Sequence, residues 1–142
     1  MARFNYKQVI YAGMVAIAAV DENVTKFEKK HINHVFDQYI KLSGKERNEV
    51  LKIWENNQDN FTHIVIEELL AFSKRDQIEA YTFIMKFISW SKTQYNLSTK
   101  TIAKGVDPER AEINLYYDEA ALIRKGLDFT DIEYAIATRT RK

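Results

Sequence analysis

The chain contains no cysteine. That excludes disulfide bridges, cysteine-ligated zinc and thiol catalysis. It has one proline and four glycines, too few turn residues for an all-β fold and too few glycines for a phosphate-cradling loop. No G-x-S-x-G or other nucleophile constellation occurs. Neither sign of charge dominates. With 21 Lys+Arg against 20 Asp+Glu the net charge is +1, so no global field draws nucleic acid or an anionic membrane. Long apolar runs are missing too: Val9–Val20 is 12 residues long, where a membrane span needs about 20. Arg3 and Lys7 ahead of that run, and Ala16-Ile17-Ala18 within it, mimic a secretion signal. Its short, small-residue character favours a buried first helix, and the expected location is cytoplasmic.

What is present is helical. Hydrophobic residues make up 46% of the chain, with 8 Phe, 8 Tyr and 2 Trp, enough for one domain with its own core. A first helix is expected from about Asn5 to Val20, apolar on nearly every face and therefore central. Gly13 within it would let a neighbouring helix approach closely. Thr25 and Glu28 form a T-x-x-E capping box that opens a second helix, and Ser43 and Glu46 form another. Polar 56–60 (NNQDN) reads as a loop. Helices then follow over about Thr62–Phe72 and Lys74–Thr93, the latter apolar enough to be central. Beyond it the pattern breaks, leaving a short helix from Ser98 that ends at Gly105. Asp107-Pro108 is a helix start. That helix ends at Gly126, read as a C-cap, and the last one runs from about Asp128 to Arg139. Val50, Ile53 and Trp54 point inward, so the aromatic stripes are core.

Carboxylate spacing gives the one pointer to specific chemistry. Asp21 and Glu28 lie seven residues apart across a helix boundary, and Glu112 and Glu119 repeat that separation. Four converging carboxylates would need a cation, with calcium or magnesium preferred over zinc. Capping accounts for Thr25 and Glu28 without any metal. A solvated helix face accounts for Glu112 and Glu119. If one helix runs from Pro108 through Lys125, those two acids are two turns apart, about 10 Å along the axis, and cannot chelate one ion together. Glu28-x-x-His31 has the spacing of di-iron bundles, which require two such motifs. His31 and His34 share a helix face but lack a third ligand, and His63 reads as a polar residue at a helix end. Residues 122–132 (LIRKGLDFTDI) mimic a helix-turn-helix, but Asp128, Asp131 and Glu133 would repel phosphates.

An apolar helix, an acidic loop and a capping-box glutamate together resemble the tellurite-resistance protein B (TerB-like) family. Its motif is roughly D-G-x-[IV]-[ST]-x-x-E, and this chain has Asp21, Val24, Thr25 and Glu28 at matching positions, with Glu22 in place of the glycine. The family repeats the motif. With an insertion of about 18 residues the echo here is Glu112 to Glu119, where Glu112 replaces Asp and the Ser/Thr cap is lacking. The resemblance covers 7–92 and 112–136. It implies an all-α bundle of about seven helices with an internal pseudo-twofold repeat, the two acidic motifs adjacent, and a divalent metal held by Asp21, Glu28, Glu112 and Glu119.

The expected function is therefore that of a non-enzymatic TerB-like domain, binding a divalent cation in a stress response or serving as a protein-interaction module. Its partner would be an unknown protein or a second copy of the chain. A DNA-binding module with a C-terminal helix-turn-helix, or a plain scaffold without metal, is the alternative.

Overall fold

A computed structural model describes residues 4–19, 41–99 and 108–139. Among these the chain forms six α-helices and one 3-10 turn, with no strand: α1 (Tyr6–Ala18), α2 (Gly44–Asn56), the turn Gln58–Asn60, α3 (Phe61–Leu70), α4 (Lys74–Thr99), α5 (Pro108–Leu127) and α6 (Asp131–Arg139). No described helix is long and apolar enough to cross a membrane. The capping box at Thr25, with Asp21, Glu28, His31 and His34, lies outside the described residues, as does the expected helix end at Gly105.

Helix α1 is the hub. Every residue from Gln8 to Ala18 is buried, and α2, α3, α4 and α5 all pack against it. Its starting residue is set by Asn5, whose side chain accepts from the Gln8 N–H while the Gln8 side chain accepts from the Asn5 N–H. This reciprocal box satisfies two of the amides that a helix start leaves open. Ile10, Met14 and Ile17 are fully enclosed, each contributing about 1.5–3 kcal/mol of burial. Gly13 makes the close approach to α4 possible: a Cβ there would stand 2.5 Å from Ile84 Cδ1. Since Ile84 is itself fully buried, it has nowhere to retreat.

The other starts follow their sequence signals. Ser43 and Glu46 cap α2 reciprocally. The Ser73 hydroxyl accepts from the Asp76 N–H at 3.1 Å at the start of α4. Pro108 opens α5, and Thr130 and Glu133 form a reciprocal box on α6. Four expectations are corrected. Residues 57–60 are no open loop, because Gln58–Asn60 continues the chain as a 3-10 turn straight into α3. Helix α4 does not stop near Thr93 but runs to Thr99, since loss of apolar period is not loss of helix and 94–99 contains no Gly or Pro. The last helix starts at Asp131, three residues later than Asp128. Gly126 is not the C-cap. It sits inside α5, where a Cβ would meet Ile66 Cδ1 at 2.7 Å. The left-handed residue after the helix is Asp128, with φ 55°, a conformation that Asp tolerates better than most residues. The α5 C-terminus is closed by Lys74, whose Nζ donates to the Leu127 carbonyl at 2.9 Å, a favourable place for a cation.

Polar groups within the core bind elements to one another. Glu68 is buried and its Oε1 accepts from the Phe4 N–H at 2.9 Å. The Tyr81 hydroxyl donates to the Ala120 carbonyl at 3.0 Å, joining α4 to α5. Burial holds that phenol well above its ordinary pKa. The Thr82 hydroxyl lies 2.9 Å from the Ala137 carbonyl, joining α4 to α6.

Candidate functional site

The C-terminal end of α1 borders a cleft of about 450 Å³, within the usual range for ligand sites. Its floor and one wall are apolar: Ala16 and Ala19 from α1, Trp54 from α2, Phe61 from α3 and Leu122 from α5. The rim is polar, built from the turn Gln58–Asn60, the first residues of α3, and Glu119. The local sequence explains this. Asn57 closes α2 with its own side chain, Nδ2 donating to the Ile53 carbonyl at 2.8 Å. The 3-10 turn that follows carries three polar side chains into the start of α3, and Asn60 makes no side-chain cap there.

Glu119 is half-buried, and its Oε2 accepts from the Thr62 hydroxyl at 2.8 Å. Thr62 stands in the first turn of α3, so the carboxylate sits at the positive end of that helix. This gives Glu119 a local structural reason for its position. Its Oε1 has no described partner. Among the described residues the side chains of Trp54, Gln58 and Asp59 also make no hydrogen bond, although all three face the cleft. His63 is engaged: its Nε2 lies 2.9 Å from Glu67 Oε1, one turn along α3 on an exposed face.

The four acids singled out by spacing are distributed unequally. Asp21 and Glu28 lie outside the described residues. Glu112 and Glu119 both lie on the unbroken helix α5, with about 10 Å of helix axis between their backbone positions. Among the described residues no group of three or more His, Asp or Glu side chains is placed to hold a metal. Of the four, the structure puts Glu119 on the cleft. The sequence reading missed Trp54 as a cleft residue, having assigned it to the core. It is only partly buried, packed on the core by one side. The available signal was its place one turn from a polar loop, where an indole at a helix end seldom has its whole surface covered.

The helix-turn-helix candidate maps onto the end of α5 and the start of α6. Among the described side chains the exposed ones on α6 are Asp131, Ile132, Ala135 and Ile136, acidic or apolar. Arg124, on the preceding helix, stacks 3.7 Å from the Tyr134 ring centroid and pairs with Asp131 at 3.2 Å, so its guanidinium is already occupied.

No family model, curated protein or solved structure matches the chain.

Proposed function

We propose that this protein is a non-enzymatic helical binding module of the TerB-like type, serving in protein interaction or stress response, and that it takes its ligand at the cleft beside Ala19. The observation that supports this is Glu119: a half-buried carboxylate held at one oxygen by Thr62, in a cleft of ligand size where Gln58 and Asp59 make no side-chain hydrogen bond among the described residues. Gln58 and Asp59 are exposed at the mouth of the cleft, so their hydrogen-bonding groups are open to an incoming ligand. Amide-detected NMR with a library of small charged and neutral fragments tests it. Shifts grouped on Ala19, the Trp54 indole, Thr62 and Glu119 support the reading. Shifts grouped on Ile132 and Ile136 of α6 would move the binding surface elsewhere.

A second reading has its own support. Asp21 follows the cleft residue Ala19 by two positions in the sequence, so Glu119 with Asp21 and Glu28 forms a candidate set for calcium or magnesium, in preference to zinc. Glu112 would then add charge without ligating. Calorimetric titration with the three metals checks this on wild type, Asp21→Asn and Glu119→Gln. Heat lost in both variants supports the ion, and heat unchanged in Glu119→Gln removes that residue from the site.

A further inference from the structure

We infer that the cleft accepts an organic cation, an ammonium or guanidinium head on an apolar stem, with Glu119 as its counter-ion and Trp54 as its wall. The inference rests on the cleft being the binding site and adds the class of ligand.

Three features point the same way. The first is charge. The described lining contains two carboxylates, Asp59 and Glu119, and no Lys or Arg. The start of α3 contributes about half a positive charge. That offsets part of Glu119. With His63 paired to Glu67, the described lining is net negative.

The second feature is the lining itself. A bare metal ion is held by several oxygens at once, and no three acidic or imidazole groups among the described residues come together. The cleft instead sets its carboxylates against aliphatic and aromatic surface: Ala16, Ala19, Trp54 and Leu122. Leu122 is 55% exposed, so its outer half is free to cover a stem. A hydrated metal gains nothing from such a wall, whereas an alkyl chain does.

The third feature is directional. Thr62 fixes Oε2 of Glu119, which leaves Oε1 to accept an N–H. Trp54 lines the cleft, and an indole attracts a cation over its ring, a contact worth about 0.5–2 kcal/mol. Its ring makes no aromatic or hydrogen-bonding contact among the described residues. A neutral molecule of the same shape gains no charge attraction from Glu119, and an anionic one is repelled by it.

The same chemistry could arrive as a free amine or as the lysine side chain of a partner. The probes are therefore cadaverine, agmatine and Nα-acetyl-lysine methylamide, with 1-pentanol and valerate as neutral and anionic counterparts and calcium and magnesium as bare cations. The full chain is titrated, and the Trp54 indole and Thr62 amide signals are followed by NMR. Saturable shifts with at least one amine, weakened tenfold or more in Glu119→Gln and less in Asp59→Asn, support the inference. The tighter binder among the three identifies the source. Helical circular dichroism and unchanged signals at Tyr81 and Ala137 establish that the variants are folded. Equal shifts from pentanol or valerate, or amine binding unchanged in Glu119→Gln, overturn it. If calcium or magnesium saturates the same signals and no amine does, the organic class falls while the cleft stands. If no probe and no fragment moves the cleft signals, the cleft reading itself falls.

Discussion

The two ends of α1 handle polar groups in opposite ways. At its N-terminal end two capping boxes are locked together. Asn5 and Gln8 cap α1, Ser43 and Glu46 cap α2, and the pairs are cross-linked: Asn5 Nδ2 donates to Glu46 Oε2 at 2.8 Å, and Gln8 Nε2 donates to the Glu46 carbonyl at 3.3 Å. Nearby, the Phe4 N–H is taken by buried Glu68. At the C-terminal end, about 20 Å away along the helix, the side chains of Gln58 and Asp59 and one oxygen of Glu119 have no partner among the described residues that border the cleft. The closed end spends its hydrogen-bonding capacity on stability. On the proposed reading, the open end keeps that capacity for a ligand, with binding residues positioned by a rigid scaffold.

Because both ends hang on one helix, the contrast disappears if α1 cannot dock. Gly13→Val forces two methyl groups against the enclosed Ile84, and overpacking of this kind costs about 2–3 kcal/mol. The urea midpoint should fall accordingly, and the cleft signals and the closed-end amides should shift together. A variant as stable as wild type would show that α4 can yield at that point.

Breaking only the closed end should cost less. Asn5→Ala removes the α1 cap and the bridge to Glu46 together, a loss of about 1–2 kcal/mol, read in the thermal midpoint with the cleft signals unmoved. Glu46 gives the same comparison a pH axis. The Asn5 amide first, then the Ser43 amide and hydroxyl, hold its carboxyl below the usual carboxylate range. A group whose native pKa is depressed adds stability above its unfolded value and loses it as pH falls through the native one. Wild type should therefore exceed Glu46→Gln in stability at neutral pH. The gap should close as the solution is acidified below about pH 4.3. A gap that persists undiminished at pH 2–3 would mean the carboxylate charge is not what matters at Glu46.

The smallest effect belongs to the open end. Glu119→Gln keeps an oxygen for Thr62 and should change stability by less than about 0.5 kcal/mol while weakening amine binding tenfold or more. A large loss of stability there, comparable with Asn5→Ala, would make Glu119 another structural cap and erase the distinction between the ends.

Much of the secondary structure was legible because its signals are local. Ser43 and Glu46 are three residues apart, Pro108 sets its own φ, and Gly13 in an apolar run announces a close neighbour. Gly126 misled for the same reason: a glycine near a helix end usually reports backbone conformation, and here it reports the bulk of Ile66, 60 positions earlier. Residues 94–99 misled because their polarity describes the surface they face and says nothing against a helical backbone. Of the candidate site, Glu119 was picked out by its spacing to Glu112, a relation that the continuous α5 turns into a separation. Its partners Thr62 and Ala19 could not be read from the sequence, since neither lies within 50 residues of it.

What the sequence determined by itself is the class of the fold. Scarce glycine and proline, a 3.6-residue apolar period and well-formed caps leave helices as the way to satisfy the backbone while burying so much apolar surface. Only the tertiary structure decided which helix ends close on one another and which stay open. A cap acts within one turn, while a cleft is the space left between side chains from four helices and the 3-10 turn. No local signal encodes that space, because it depends on how far apart packing holds α1, α2, α3 and α5.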